Sequence, residues 1–301
     1  MSQLVKLLGA LAFSLCASVA SAQDAVLKPF VLGSKGAGDL AQKVEATKAA
    51  LTKAGFTVAG SYSPYANTTI VVVTNDELKS TAAKSEHGGF GAAQRISIVK
   101  VKDEVQVAYT NPAYWANIYR MAGELKDTAA KLQAALGKVE EFGAKGITAA
   151  QLRKYHYKMM MPYFDDPDPL VMHASHEEAV KQVEAGLAAG KQGVTRVYRV
   201  DIPGKKEVLF GVAMKGATEK DKFIDDKFIM SEIDFKDVKS AAHLPYEILV
   251  VDRRVFALSA RFRIAASFPD LSMMGENSFM RIMESPDAIK KALAYTAGDK
   301  D

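Results

Sequence analysis

Segment 155–176 concentrates the side chains best suited to chemistry. It holds His156, Met159, Met160, Met161, Met172, His173 and His176, with Asp165, Asp166 and Asp168 among them. Thioether and imidazole donors together form a soft ligand set that suits copper(I). The plain alternative is structural. In an extended segment over 159–164, alternate methionines face a core. His173 and His176 straddle a predicted helix N-cap, so they are not set up as an i, i+3 pair on one helix face. The run Asp165-Asp166-Pro167-Asp168-Pro169 lacks the central glycine and distal glutamate of a calcium loop and reads as a turn.

A second group is cationic. Arg261 and Arg263 share one face of a predicted strand over 255–265, with Arg253 and Arg254 at the preceding turn. Guanidinium forks of this kind hold anionic ligands, or else form ion pairs on a solvated face, here with the acidic stretch 221–232. The charged run 219–227 reads as a solvated helix face. Tyr109, Tyr114 and Trp115 cluster around Pro112, and Met273 and Met274 occupy the matching place after Pro269. Such residues pack a core or line an apolar pocket. The glycine-rich 87–91 stretch has no Lys-Ser/Thr pair and does not open a helix, so it reads as a flexible connection rather than a phosphate cradle. No G-x-S-x-G, H-E-x-x-H, P-loop or dinucleotide fingerprint occurs. No catalytic residue and no cofactor is therefore named. A binding protein is the first expectation, and a hydrolase or transferase built from dispersed residues is an alternative.

The elements that must position these groups belong to a folded, exported chain. With 49% hydrophobic and 25% charged residues in 301, disorder and a multi-span membrane protein are excluded. A net charge of +4 over the whole chain gives no argument for a nucleic-acid partner. Residues 1–22 read as a signal peptide: Lys6, a short apolar run over 7–15, then Ala20-Ser21-Ala22, with cleavage after Ala22. Leu15 before Cys16 argues against a lipoprotein site. Cleavage removes the single cysteine, and a chain that relies on no disulfide fits a bacterial periplasm, with no membrane attachment afterwards.

The mature chain reads as one unit used twice. Leu40, Val44, Thr47 and Leu51 line one helix face behind an Asp39 cap, and a shift of 136 residues gives His176, Val180, Val183 and Leu187 behind Ser175. Strands over 69–73 and 207–212 follow. Hairpins come next, over 95–109 and over 246–265, and then closing helices over 124–136 and 286–297. The first strands are placed at 26–32 and 159–164. This order predicts an α+β fold of two related two-layer domains, 23–145 and 155–301, joined by a linker over 146–154. Each has an antiparallel sheet with helices on one face. The assembly is a monomeric pseudo-dimer or a homodimer.

Residues Val44-Glu45-Ala46 through Ala54-Gly55-Phe56, then the strand ending in Tyr109 and Asn111-Pro112, resemble the family Domain of Unknown Function 302. The likeness covers about 39–112, and Phe268-Pro269 replaces Asn-Pro in the second half. It implies a TATA-binding-protein-like α+β fold and no particular activity. The functional expectation is a periplasmic, non-enzymatic binding or accessory protein for a small apolar or anionic ligand. Its ligand-binding candidates are Arg261, Arg263, Tyr109, Tyr114, Trp115, Met273 and Met274. The alternative is copper(I) handling by the Met/His segment.

Overall fold

The computed structural model describes residues 25–156 and 160–300. The predicted signal segment with Cys16, and Met159, lie outside the described residues. Both predicted helix caps form. The Asp39 carboxylate accepts the Gln42 N–H at 2.9 Å, and the Ser175 hydroxyl accepts the Glu178 N–H at 3.2 Å. Each satisfies a donor that a first helical turn leaves open.

In chain order the first half contains β1 (Val26–Leu27), β2 (Phe30–Ala37), α1 (Leu40–Lys53), β3 (Thr57–Tyr62), β4 (Thr68–Thr74) and α2 (Asp76–Ala83). It continues with β5 (Gln94–Val101), β6 (Glu104–Thr110), α3 (Pro112–Ile118), α4 (Lys126–Leu136) and β7 (Glu140–Phe142). A bridge of β8 (Ile147–Thr148) and α5 (Ala149–Leu152) leads into β9 (Asp168–Met172), α6 (His176–Ala188), β10 (Val194–Asp201) and β11 (Glu207–Met214). Then come α7 (Asp226–Ile233), β12 (Tyr246–Val251), β13 (Arg254–Ala257), α8 (Ala260–Ser267) and α9 (Ser285–Thr296).

The larger sheet runs β3-β4-β5-β6-β2-β7 and the second β10-β11-β12-β13-β9. All their pairings are antiparallel. Leaving β7 aside, each sheet places its second, third, fourth and fifth strands in sequence and then its first. Period-two alternation gives both faces of the larger sheet a task. Val71 and Val73 pack under α1 and α4 with Val44, Leu51, Leu132 and Leu136. Ile70 and Val72 turn the other way, into a core that also holds Phe90, Trp115, Leu209, Leu249 and Phe262. The α+β class with helices over antiparallel sheets is as the sequence predicts. The second core, however, is shared by the two halves. Among the described residues no helix is long and apolar enough to cross a membrane.

The edge strands β3 and β10 meet. Each carries a register shift there, between Val58 and Gly60 and between Arg196 and Tyr198. A Cβ on Gly60 would fall on the Val197 carbonyl oxygen, which is backbone and cannot swing away. Gly60→Ala is therefore expected to lower the unfolding free energy by about 1–3 kcal/mol, the usual range for overpacking. A urea midpoint equal to that of the parent would show that the two edges separate freely.

Several local expectations are corrected. The predicted strand over 255–265 ends at Ala257, and α8 follows. Ala260, Phe262, Arg263, Ile264, Ala265 and Ala266 are all buried. A helix apolar on nearly every side has no periodic signature to set against an alternating strand. Arg261 and Arg263 thus share no strand face. The strand expected at 159–164 lies instead at β9, an edge strand that tolerates Pro169. The strand expected at 26–32 is divided into β1 and β2. The supposed linker is tied down: β8 pairs with β1, and Leu152 is fully buried. The 87–91 stretch is no free connection, because Gly88–Gly91 is a buried 3-10 turn whose Gly89 N–H donates to Glu207 Oε1 at 2.6 Å. The run 219–227 is not one solvated helix face either. A 3-10 turn covers Glu219–Ile224, and Asp226, at the start of α7, is buried.

Candidate functional site

Two groups of charged residues take in the sequence-predicted candidates, one sealed and one open. The sealed group lies between the halves. Arg95 on β5 donates from Nη1 to Glu247 Oε1 on β12 at 2.8 Å and from Nε to the Ala242 carbonyl at 3.0 Å. Arg263 on α8 lies 3.5 Å from the other Glu247 oxygen. It donates to the Tyr119 hydroxyl at 2.5 Å and to the His243 carbonyl at 2.6 Å. Both guanidiniums stand over the Trp115 ring, 4.9 and 5.2 Å from its centroid. Burial works against the Arg263 charge, and Glu247 together with Tyr119, Tyr198 and Tyr246 outweighs it, so its pKa is raised. Burial, Arg263 and Arg95 together hold His243 well below the usual imidazole range. It is therefore a neutral ring, sharing hydrogen bonds with the Ser267 hydroxyl at 2.8 Å and the Tyr246 hydroxyl at 3.1 Å. Burial and Glu247 push the Tyr198 hydroxyl well above the phenol range, and it donates to Glu247 at 3.3 Å.

This cluster absorbs several residues that the sequence offered to a ligand. Trp115 donates its indole N–H to the Pro29 carbonyl at 2.9 Å, and Tyr114 its hydroxyl to that of Ala266 at 2.8 Å. Tyr109 lies on the opposite face of its sheet, under the outer helices, and donates to the Gly137 carbonyl at 3.0 Å. With Arg263 these side chains are buried and committed to the protein's own carbonyls. The expected equivalence of Pro112 and Pro269 also fails. Pro112 opens α3 directly after β6, whereas Pro269 lies beyond α8. Met273 and Met274 accordingly sit in an exposed loop rather than over a pocket.

The open group is a surface cleft of about 460 Å³ lined by His156, Met160, Met161, Tyr163, Asp166, Asp168 and Arg261, among others. It unites parts of both sequence-predicted sets. The His156 and Tyr163 rings lie 4.6 Å apart, and Tyr163 takes its place through an N–H bond to Asp166 at 3.1 Å. Arg261 is held by both Asp287 oxygens at 3.1 and 3.2 Å, and Lys290 reaches Asp168 at 3.0 Å. The remaining Met/His candidates lie elsewhere. His173 Nε2 is 2.9 Å from the Ala297 carbonyl oxygen and His176 Nδ1 is 2.9 Å from that of Asp252. Met172 is exposed on β9, opposite Arg254. Among the described residues no three His, Cys, Asp or Glu side chains converge on a metal position, so a cation in the cleft would depend on the thioethers.

Sequence reasoning missed Arg95, Glu247 and Asp226. A usable signal existed for Glu247, a lone acid inside the apolar run Tyr246–Val251. No family model, curated protein or solved structure matches the chain.

Proposed function

We propose that the protein is an exported, periplasmic, non-enzymatic binding protein that handles copper(I) at the cleft. The observation that carries this reading is the gathering of His156, Met160 and Met161 in one open cleft. Imidazole and thioether are soft donors matched to copper(I), and Asp166 adds negative charge that favours a cation. A small anion is the second reading, favoured by Arg261 in the same cleft, and it must compete with Asp287 for that guanidinium. The matching strand order of the two sheets supports descent from a duplicated unit, and the resemblance over 39–112 is what supports placing its first half with Domain of Unknown Function 302.

A competition titration of copper(I) under anaerobic conditions tests the first reading. The parent is expected to bind one equivalent through the cleft, and His156→Ala with Met160→Leu and Met161→Leu to weaken that equivalent at least tenfold. Equal affinity in parent and variant would exclude the cleft as the site. Arg261→Ala is expected to leave copper(I) affinity unchanged. If it instead abolishes binding of a small dicarboxylate or phosphate probe, the anion reading gains.

A further inference from the structure

The loop between α8 and α9 carries four methionines within 273–283: Met273, Met274, Met280 and Met283. Their exposures are 37%, 69%, 50% and 56%, whereas Met121, Met214 and Met230 are each buried to 2%. Those three fill core gaps, whereas the four of this loop, like Met160 and Met172, stand in contact with water.

The main chain holds the four together. Phe279 N–H donates to the Ser272 carbonyl at 2.8 Å and Met280 N–H to that of Met273 at 3.2 Å, beside a parallel bridge of Ser272 with Ser278, so the backbones of Met273 and Met280 lie side by side where the loop closes on itself. Gly275 and Asn277 turn the chain with φ of +97° and +50°, and the Ser278 hydroxyl locks the turn by donating to the Gly275 carbonyl at 2.7 Å. Met283 follows Met280 by three residues, from a 3-10 turn over Phe279–Ile282. With three residues per turn, positions i and i+3 eclipse. The one cation among these positions, Arg281, is drawn aside by Glu232 on α7 at 3.2 Å.

Thioethers are neutral, unprotonated at any ordinary pH and soft. They select copper(I) and its redox-inert analogue silver(I) over zinc, calcium or magnesium. We propose that this loop is a second soft-cation site, in which Met273, Met280 and Met283 hold one copper(I) ion. The inference extends the copper(I) reading of the cleft but uses none of its residues, so each can fail alone.

The test uses silver(I) nitrate in chloride-free buffer, read by native mass spectrometry and by the ε-methyl signals of ¹³C-methyl-methionine protein. The ε-methyl signals of Met273, Met280 and Met283 should shift together as one equivalent binds. The M273L/M280L/M283L variant should lose that equivalent or bind it at least tenfold more weakly. Leucine at exposed positions preserves the fold, which circular dichroism checks. The cleft variant H156A/M160L/M161L should leave the loop shifts intact while losing its own equivalent. Unmoved loop methyl signals would overturn the proposal. So would an unchanged silver stoichiometry and affinity in the loop variant, or disappearance of the loop shifts in the cleft variant.

Discussion

Replacing Glu247 by glutamine is expected to lower the unfolding free energy by about 3–5 kcal/mol, the range seen when one partner of a buried ion group is removed. Glutamine keeps the shape and one acceptor oxygen, so packing is nearly unchanged. What changes is charge. Two guanidiniums share the Trp115 ring, and the Glu247 carboxylate is the anion bonded to Arg95 at 2.8 Å and 3.5 Å from Arg263. Without it the interior holds two like charges with side-chain exposures of 3% and 1%, too dry for water to screen them. Their bonds to the Ala242 and His243 carbonyls persist and satisfy donors, but a carbonyl dipole does not neutralise a cation. Adding Arg95→Met to Glu247→Gln removes one of the two cations, so the double variant should recover part of the loss. Urea denaturation of both variants measures this. A loss below about 1 kcal/mol for Glu247→Gln would mean that the cluster contributes little beyond replacing its own desolvation.

The same contact explains which parts of the fold were readable from sequence. The caps at Asp39 and Ser175, the helix face behind Asp39 and the first hairpin rest on spacings of a few residues, and they appear where the pattern put them, whereas the second hairpin keeps its turn but its return strand ends at Ala257. The Arg95–Glu247 pair joins positions 152 residues apart. In isolation Arg95 looks like the polar side of a half-exposed strand, and Glu247 stands out only as a lone acid in an apolar run with no partner in sight. Their burial follows only from the stacking of one half on the other, which no local period encodes. Residues 260–267 failed for a related reason, because burial of all but Arg261 erases the contrast between helical and strand periods. The cleft was legible in part. The donors His156, Met160 and Met161 stood out by type, whereas the arrival of Arg261 depends on α8 being a helix beside Asp287.

Asp226 should make the protein less stable as pH rises from about 4 to about 8. The side chain lies at the start of α7, and its residue is 1% exposed. One oxygen accepts the Met214 N–H at 3.1 Å and the Tyr62 hydroxyl at 3.3 Å. The other has no hydrogen-bond partner among the described residues. Burial pushes its pKa from 3.8 to about 8, against the pull of these two donors and with a push from Asp225. In that interval the folded chain holds a proton that the unfolded chain has released, so folding stability falls by about 1.4 kcal/mol per pH unit from this group. Its stabilising share is complete below the unfolded value and is lost through the folded one. Asp234, pushed by burial to about 7, acts in the same sense. The buried neutral His243 acts oppositely below the ordinary imidazole pKa, because there the unfolded state takes up the proton. The total curve therefore mixes three slopes, and the difference between parent and Asp226→Asn isolates one. Asparagine keeps an acceptor for Met214 and carries no charge. The variant should gain on the parent steadily from pH 5 to pH 8 in urea midpoint and level off above that. Parallel midpoint curves for the two proteins across this interval would show that Asp226 is already ionised in the folded state.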